Sequence, residues 1–247
     1  MIKQLLLIVV LICAFAGCQR DATDQAVTSR TLLITPAPPS TDPTIQQEDD
    51  RFFSRSFRSI GETIWYRGER PLFIRLYAKA GGTCHACSVE IGGYLAEYDA
   101  VRRQWQVMVS SFHIAETGSY GEAPEVHFLQ LGPANYGFLM APSYLAQGIL
   151  VQRMQLFLAS RSGFKEILDA PTCFDNSGFF ADGSHSGSVR VAIHQLVNAE
   201  KELYDLQVNV IAKGAIPVDD DYGFKQLYGD AKELKFVFKG GVYLPEK

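Results

Sequence analysis

The sequence predicts an all-β fold: an antiparallel meander of hairpins forming a sandwich or a propeller-like curved sheet, with a short N-terminal helix. Three observations predict it. Alternating runs rich in β-branched and aromatic residues recur from residue 64 to residue 244, each bounded by Gly, Pro, Asn or Asp. The stretches between paired runs are short and polar or glycine-rich, as hairpin turns are. Helical spacing is confined to two brief segments.

In chain order, "TIQQEDDRFFSRSFRSI" (44–60) places Ile45, Phe52, Phe53, Phe57 and Ile60 at loosely helical spacing, behind Thr41 or Asp42 and Pro43. A capping side chain followed by proline is a helix start signal. "IWYRGERPLFIRLYA" (64–78) reads as strand, turn, strand. "SVEIGGYLAEYDAVRRQWQVMVSS" (88–111) is a hairpin about "YDAVRRQ", and "EVHFLQLGPANYGFLMAPS" (125–143) one about "LGPAN". "ILVQRMQLFLASRSGFKEILDA" (149–170) turns at "SRSG", and "SVRVAIHQLVNAEKELYDLQVNVIAKG" (188–214) at "NAEKE". "FKQLYGDAKE" (224–233) looks helical, and "LKFVFKGGVYL" (234–244) closes on a Gly-Gly turn. Three of these hairpins share a rhythm of apolar strand, polar turn and apolar strand. It fits a degenerate repeat as well as an ordinary meander.

The formal charge is −4 over 247 residues, and it is unevenly placed. Residues 1–50 carry three basic and six acidic groups; the rest carry 20 and 21, interspersed. No basic patch suited to nucleic acid is visible. Residues 46–247 are long enough to bury one substantial core.

The chain opens "MIKQLLLIVVLICAFAGCQR". Lys3, an apolar run from Leu5 to Ala16 and the small residues Ala16 and Gly17 make a secretory signal peptide over residues 1–17. The run is shorter than the roughly 20 apolar residues that a membrane span needs. "FAGC" resembles the lipobox of bacterial lipoproteins, with Phe15 where Leu is commoner. The resemblance implies acylation of Cys18, cleavage before it and a lipid anchor. Gln19 after the cysteine, rather than Asp, implies the outer membrane over the inner. Residues 18–45, rich in Ser, Thr, Asp and Gln with Pro36, Pro38, Pro39 and Pro43, then read as a disordered tether. It spans roughly 30 Å as a coil and up to about 80 Å fully extended.

"GGTCHACS" (81–88) is the sharpest chemical motif. Outside the cytoplasm, Cys84, Cys87 and Cys173 are disulfide candidates. A Cys84–Cys87 ring is tiny; pairing either with Cys173 closes a loop of roughly 90 residues, worth up to about 4–5 kcal/mol by loop entropy. A redox pair of the thioredoxin kind needs a helix N-terminus behind the motif, and strand-like sequence follows it instead. A zinc site would draw on Cys84, Cys87 and Cys173 with His85 or His185, but the second half lacks paired ligands. No cofactor is expected.

No catalytic constellation stands out: there is no "GxSxG", no "HExxH" and no phosphate loop. Asp219, Asp220 and Asp221 lack calcium-loop spacing and read as a solvated turn. Tyr120, Glu122, His127, Tyr136 and Gln147, set among glycines, are candidates for a binding rim. The whole resembles bacterial envelope lipoproteins, in which an acylated cysteine, a Pro-rich tether and a β domain follow one another. The expected function is non-catalytic binding of an envelope protein, a cell-wall component, or a toxin or hydrolase to be inhibited. The alternatives are a thiol-redox or zinc protein centred on Cys84 and Cys87, and an accessory subunit of an envelope assembly.

Overall fold

The computed structural model describes residues 9–11, 38–66, 70–82, 84, 87–178, 186–214, 222–229 and 232–246. Cys18, His85, His185 and Asp219–Asp221 therefore lie outside the described residues. Val9–Leu11 run antiparallel to Ile193–Gln195 and are not counted among the strands of the domain.

The protein is mostly β: two antiparallel sheets of hairpins, of four and nine strands, neither closing into a barrel. The small sheet is formed by β1 (Arg58–Trp65), β2 (Leu72–Ala80), β3 (Val89–Asp99) and β4 (Gln104–Thr117), in that order. The large sheet holds β5 (Glu125–Gly132), β6 (Asn135–Ala141), β7 (Ser143–Ala146), β8 (Ile149–Ser160), β9 (Gly163–Asp175), β10 (Gly187–Leu196), β11 (Asp205–Gly214), β12 (Glu233–Lys239) and β13 (Val242–Pro245). Its spatial order is β13-β12-β11-β10-β9-β8-β6-β5, with β7 also beside β8. The turns expected at "YDAVRRQ", "LGPAN", "SRSG", "NAEKE" and Gly240–Gly241 all join neighbouring strands.

Period-2 alternation explains the layering. On β2, Ile74, Leu76 and Ala78 join Val89, Ile91 and Leu95 of β3 against Phe138, Met140 and Phe157 of the large sheet. That makes the molecule a sandwich rather than a propeller. The intervening Phe73 and Tyr77, with Tyr94, Ala96 and Tyr98, face the other way and pack beneath α1 (Pro43–Phe53). A second helix, α2 (Phe224–Tyr228), is shorter than the stretch expected to be helical; Phe224 and Tyr228 join the core of the large sheet. The large sheet curls, so that Leu131 of β5 accepts from the Tyr204 amide at 2.7 Å.

The body begins before residue 46. Asp42 caps α1 by accepting from the Thr44 amide at 2.9 Å, and its other oxygen accepts from the Trp105 amide at 2.9 Å. Pro39 and Ile45 are buried, so residues 38–45 belong to the fold and not to the tether. Phe57 and Ile60 lie beyond the helix, which stops at Phe53.

The face that α1 buries is Ile45, Glu48, Asp49 and Phe52, an i, i+3, i+4, i+7 stripe with two carboxylates at its centre. A row of polar residues running straight across the small sheet meets them. Glu62, Arg75, Tyr94 and Ser110 are successive cross-strand partners on β1, β2, β3 and β4. Arg75 forks between Asp49 and Glu62, reaching Glu62 through Nε at 2.6 Å. Tyr94 donates to Asp49 at 2.7 Å, Tyr77 donates to the same oxygen, and Ser110 donates to Glu48. Glu48 also pairs with Arg51 at 2.6 Å. Beside the row, the Phe52 ring stacks on Tyr77 at 4.3 Å; a Cβ on Gly92 would approach it to 2.8 Å, which is why glycine stands there.

Burial, and then the bond to Asp49, hold the Tyr77 and Tyr94 phenols far above their ordinary range. The folded protein thus favours the neutral phenols. This contribution is complete below the unfolded value of about 10 and is lost as pH rises above it. Denaturation midpoints are expected to fall above about pH 10, with both phenols ionising only on unfolding. Ionisation of both in an intact fold would contradict the arrangement.

Candidate binding surface

Three loops converge at one end of the sandwich. The first is the β2–β3 connection, where Cys84 and Cys87 are joined as a disulfide with their Cα atoms 4.9 Å apart. Its base is closed by the Gly81 amide donating to Ser88 at 3.0 Å. The second is the β4–β5 turn. There the Gly121 amide donates to the Cys87 carbonyl at 2.8 Å. Gly121 has φ +69°, and a Cβ on it would sit 1.8 Å from the Gly82 carbonyl oxygen, so only glycine allows the two loops to touch. The third is the β7–β8 hairpin. Ser119 donates to the Ser143 carbonyl at 2.9 Å, and the Tyr120 hydroxyl to the Leu145 carbonyl at 3.1 Å.

That hairpin turns on Gln147 (φ 51°) and Gly148 (φ 79°), the mirror-image turn that suits a two-residue connection. It presents Tyr144 and Leu145, 48 % and 49 % exposed. Tyr120 (φ 60°) and Gln147 are two of the four described non-glycine residues with left-handed backbone, and both are on this rim. Such strain persists only where the surroundings enforce it. Below the hairpin opens a cavity of ≈ 320 Å³ lined by Thr117, Tyr144, Val151, Arg153, Gln155 and Tyr222 among others. Two polar pairs cross-link its lining. Thr117 donates to Gln155 at 2.8 Å, tying the two sheets together, and Arg153 pairs with Asp169 at 2.8 Å. Burial and then the nearby Asp169 push the Glu166 carboxyl up, against the pull of Arg153.

Of the five residues expected on a rim, Tyr120, Glu122 and Gln147 are on these converging loops. His127 is instead in edge strand β5, opposite Leu139, with Nε2 3.3 Å from Glu125. Tyr136 is a correction. It lies by the opposite turn of the β5–β6 hairpin, buried, with its ring stacked on Trp65 at 4.9 Å. The aromatic signal there was packing between the sheets. Tyr144 and Leu145 were missed because "SYLAQGILV" lacks the usual Asn-Gly turn. The Gln-Gly pair between two apolar runs was the available signal.

Cys173 stands apart as a free thiol on β9, so the long-range pairing with Cys84 or Cys87 is not formed. Burial pushes this thiol up, with Arg190 pulling the other way, which leaves it little thiolate character. The disulfide sulfurs are not thiolate ligands, and among the described residues no group of three or more His, Cys, Asp or Glu side chains is placed to hold a metal. The Cys pair also caps a β-hairpin, where no helix dipole acts on it. A ring this small is worth at most about 2 kcal/mol by loop entropy. The Cys84→Ser/Cys87→Ser variant is therefore expected to lose no more than that in denaturant unfolding. Its larger effect is faster hydrogen exchange at the Gly121 amide; unchanged exchange there would show that the disulfide does not brace the rim.

Among the described residues no helix is long and apolar enough to cross a membrane. Comparison of the chain with protein-family models, with curated proteins and with solved structures finds no match.

Proposed function

We propose that the protein is a lipid-anchored binding protein of the bacterial cell envelope, held to the membrane, most simply the outer one, through acylated Cys18. Its β domain captures a protein or cell-wall partner at the Tyr144–Leu145 rim without catalysis. The observation that carries the binding role is the rim itself. Two large apolar side chains stand in solvent on a hairpin that is braced by Tyr120, from a turn that is itself bonded to the disulfide loop. Exposed aromatic and apolar anchors on a rigid support are what partner surfaces use, because little conformational entropy is lost when they are covered. The tether expected from the sequence supports the same reading, since holding the domain near the membrane raises its effective concentration there without fixing its orientation.

A photo-crosslinking side chain at position 145, introduced in the full-length protein in bacterial cells, tests this. Position 197 is the control, since Val197 is 43 % exposed but lies on the β10–β11 turn, away from the rim. A discrete adduct from 145 and none from 197 is expected. No adduct from 145, or the same adducts from both, would contradict a partner surface at the rim.

A further inference from the structure

A second feature lies apart from the rim, where the ends of the two sheets meet. Glu97 of β3 is only 14 % exposed, yet it is held by two arginines that are mostly in solvent: Arg161 from the β8–β9 turn, and Arg70 at 3.8 Å, ahead of β2. The side chains of Arg161 and Arg70 are 60 % and 72 % exposed. A guanidinium has five N–H donors, so each arginine keeps donors for another acceptor. Two grooves, of ≈ 560 and ≈ 490 Å³, share Arg70, Glu97 and Arg161 as a common wall. Arg102 lines the larger one, its Nε 3.8 Å from Asp99. Among the described residues the grooves carry three guanidiniums against two carboxylates, and both volumes are in the range of small-ligand sites.

We propose that this double groove binds a phosphate-bearing oligomer, with Arg70 and Arg161 on one phosphate group and Arg102 on another. Guanidiniums take phosphate oxygens in fork geometry, and here a largely buried carboxylate already draws Arg70 and Arg161 to one place. A ligand with several linked anionic groups suits the site better than a lone anion. It can engage both grooves, and it competes with Glu97 through more than one contact. The proposal uses none of the rim residues, so either can fail without the other.

The test is a titration of the full-length wild-type protein with sodium tripolyphosphate at low salt, followed by calorimetry and by shifts of arginine side-chain resonances. Arg161→Ala is expected to weaken binding about tenfold, the loss of one charge-assisted pair. Glu97→Gln removes the competing charge and is expected to tighten binding several-fold. Arg58→Ala, on the edge strand β1, is expected to leave it unchanged. If Arg161 and Glu97 serve only as a clasp between the sheets, Glu97→Gln lowers the melting temperature and leaves tripolyphosphate binding where it was. That result overturns the proposal, as does equal weakening by Arg58→Ala, which would mark diffuse attraction. Absence of measurable binding to the folded wild type and to folded Glu97→Gln overturns it too.

Discussion

Replacing Arg75 with alanine is expected to destabilise the domain by about 3–5 kcal/mol, the usual result of removing one partner from a buried ion pair. The reason is the row beneath α1. Asp49 is buried and takes its compensation from Arg75, Tyr77 and Tyr94. Without Arg75, the carboxylate keeps two neutral donors and no countercharge in a site closed over by the helix. Glu62 loses its partner as well, but is half in solvent and adds little. Denaturant unfolding of Arg75→Ala measures the loss, and a cost below about 1 kcal/mol would place the pair among surface-type bridges. The combined variant Asp49→Leu/Arg75→Met/Tyr77→Phe/Tyr94→Phe, which leaves neither phenol without an acceptor, is expected to recover much of it, since apolar replacement of a buried pair is often neutral. The polar row then reads as a device for register. It fixes where α1 lies on the sheet, since a slip by one residue would bury Asp49 away from its donors.

Replacing Cys18 with alanine is expected to move the protein from the membrane fraction to the soluble fraction entirely. Stable anchoring needs more than one acyl chain, each contributing about 0.8 kcal/mol per buried methylene, and on the lipoprotein reading every chain depends on Cys18. Among the described residues no helix is long and apolar enough to cross a membrane in its place. Fractionation of cells that produce the variant checks this. Retention in the membrane would point to an uncleaved apolar segment, residues 5–16, as the anchor.

The sheets were legible in the sequence because alternation and turn chemistry act locally. Each hairpin expected from the sequence was announced by a polar or glycine-rich turn between apolar runs, whereas the one at Gln147–Gly148 was not foreseen. The helix was announced by Asp42 and Pro43, but its end was not, because Phe57 and Ile60 continue an apolar pattern that the strand β1 uses instead. The polar row was hidden. Glu62, Arg75, Tyr94 and Ser110 are scattered in sequence and become neighbours only through strand register. The carboxylates Glu48 and Asp49 look like solvent-facing residues until Ile45 and Phe52 show that they share the buried face. The rim was half legible. Glycines marked the Tyr120 turn, whereas Tyr136 carries the same aromatic signal and is buried against Trp65. The meeting of Arg70, Glu97 and Arg161 depends on two sheets coming together, which no local pattern encodes.

The most direct test of the membrane-anchored account is the mass of the amino-terminal peptide from full-length protein extracted from bacterial membranes. The account predicts a peptide that begins at Cys18 and carries acyl chains on its sulfur and its amine. A peptide that begins at Met1, or an unmodified Cys18, would contradict it.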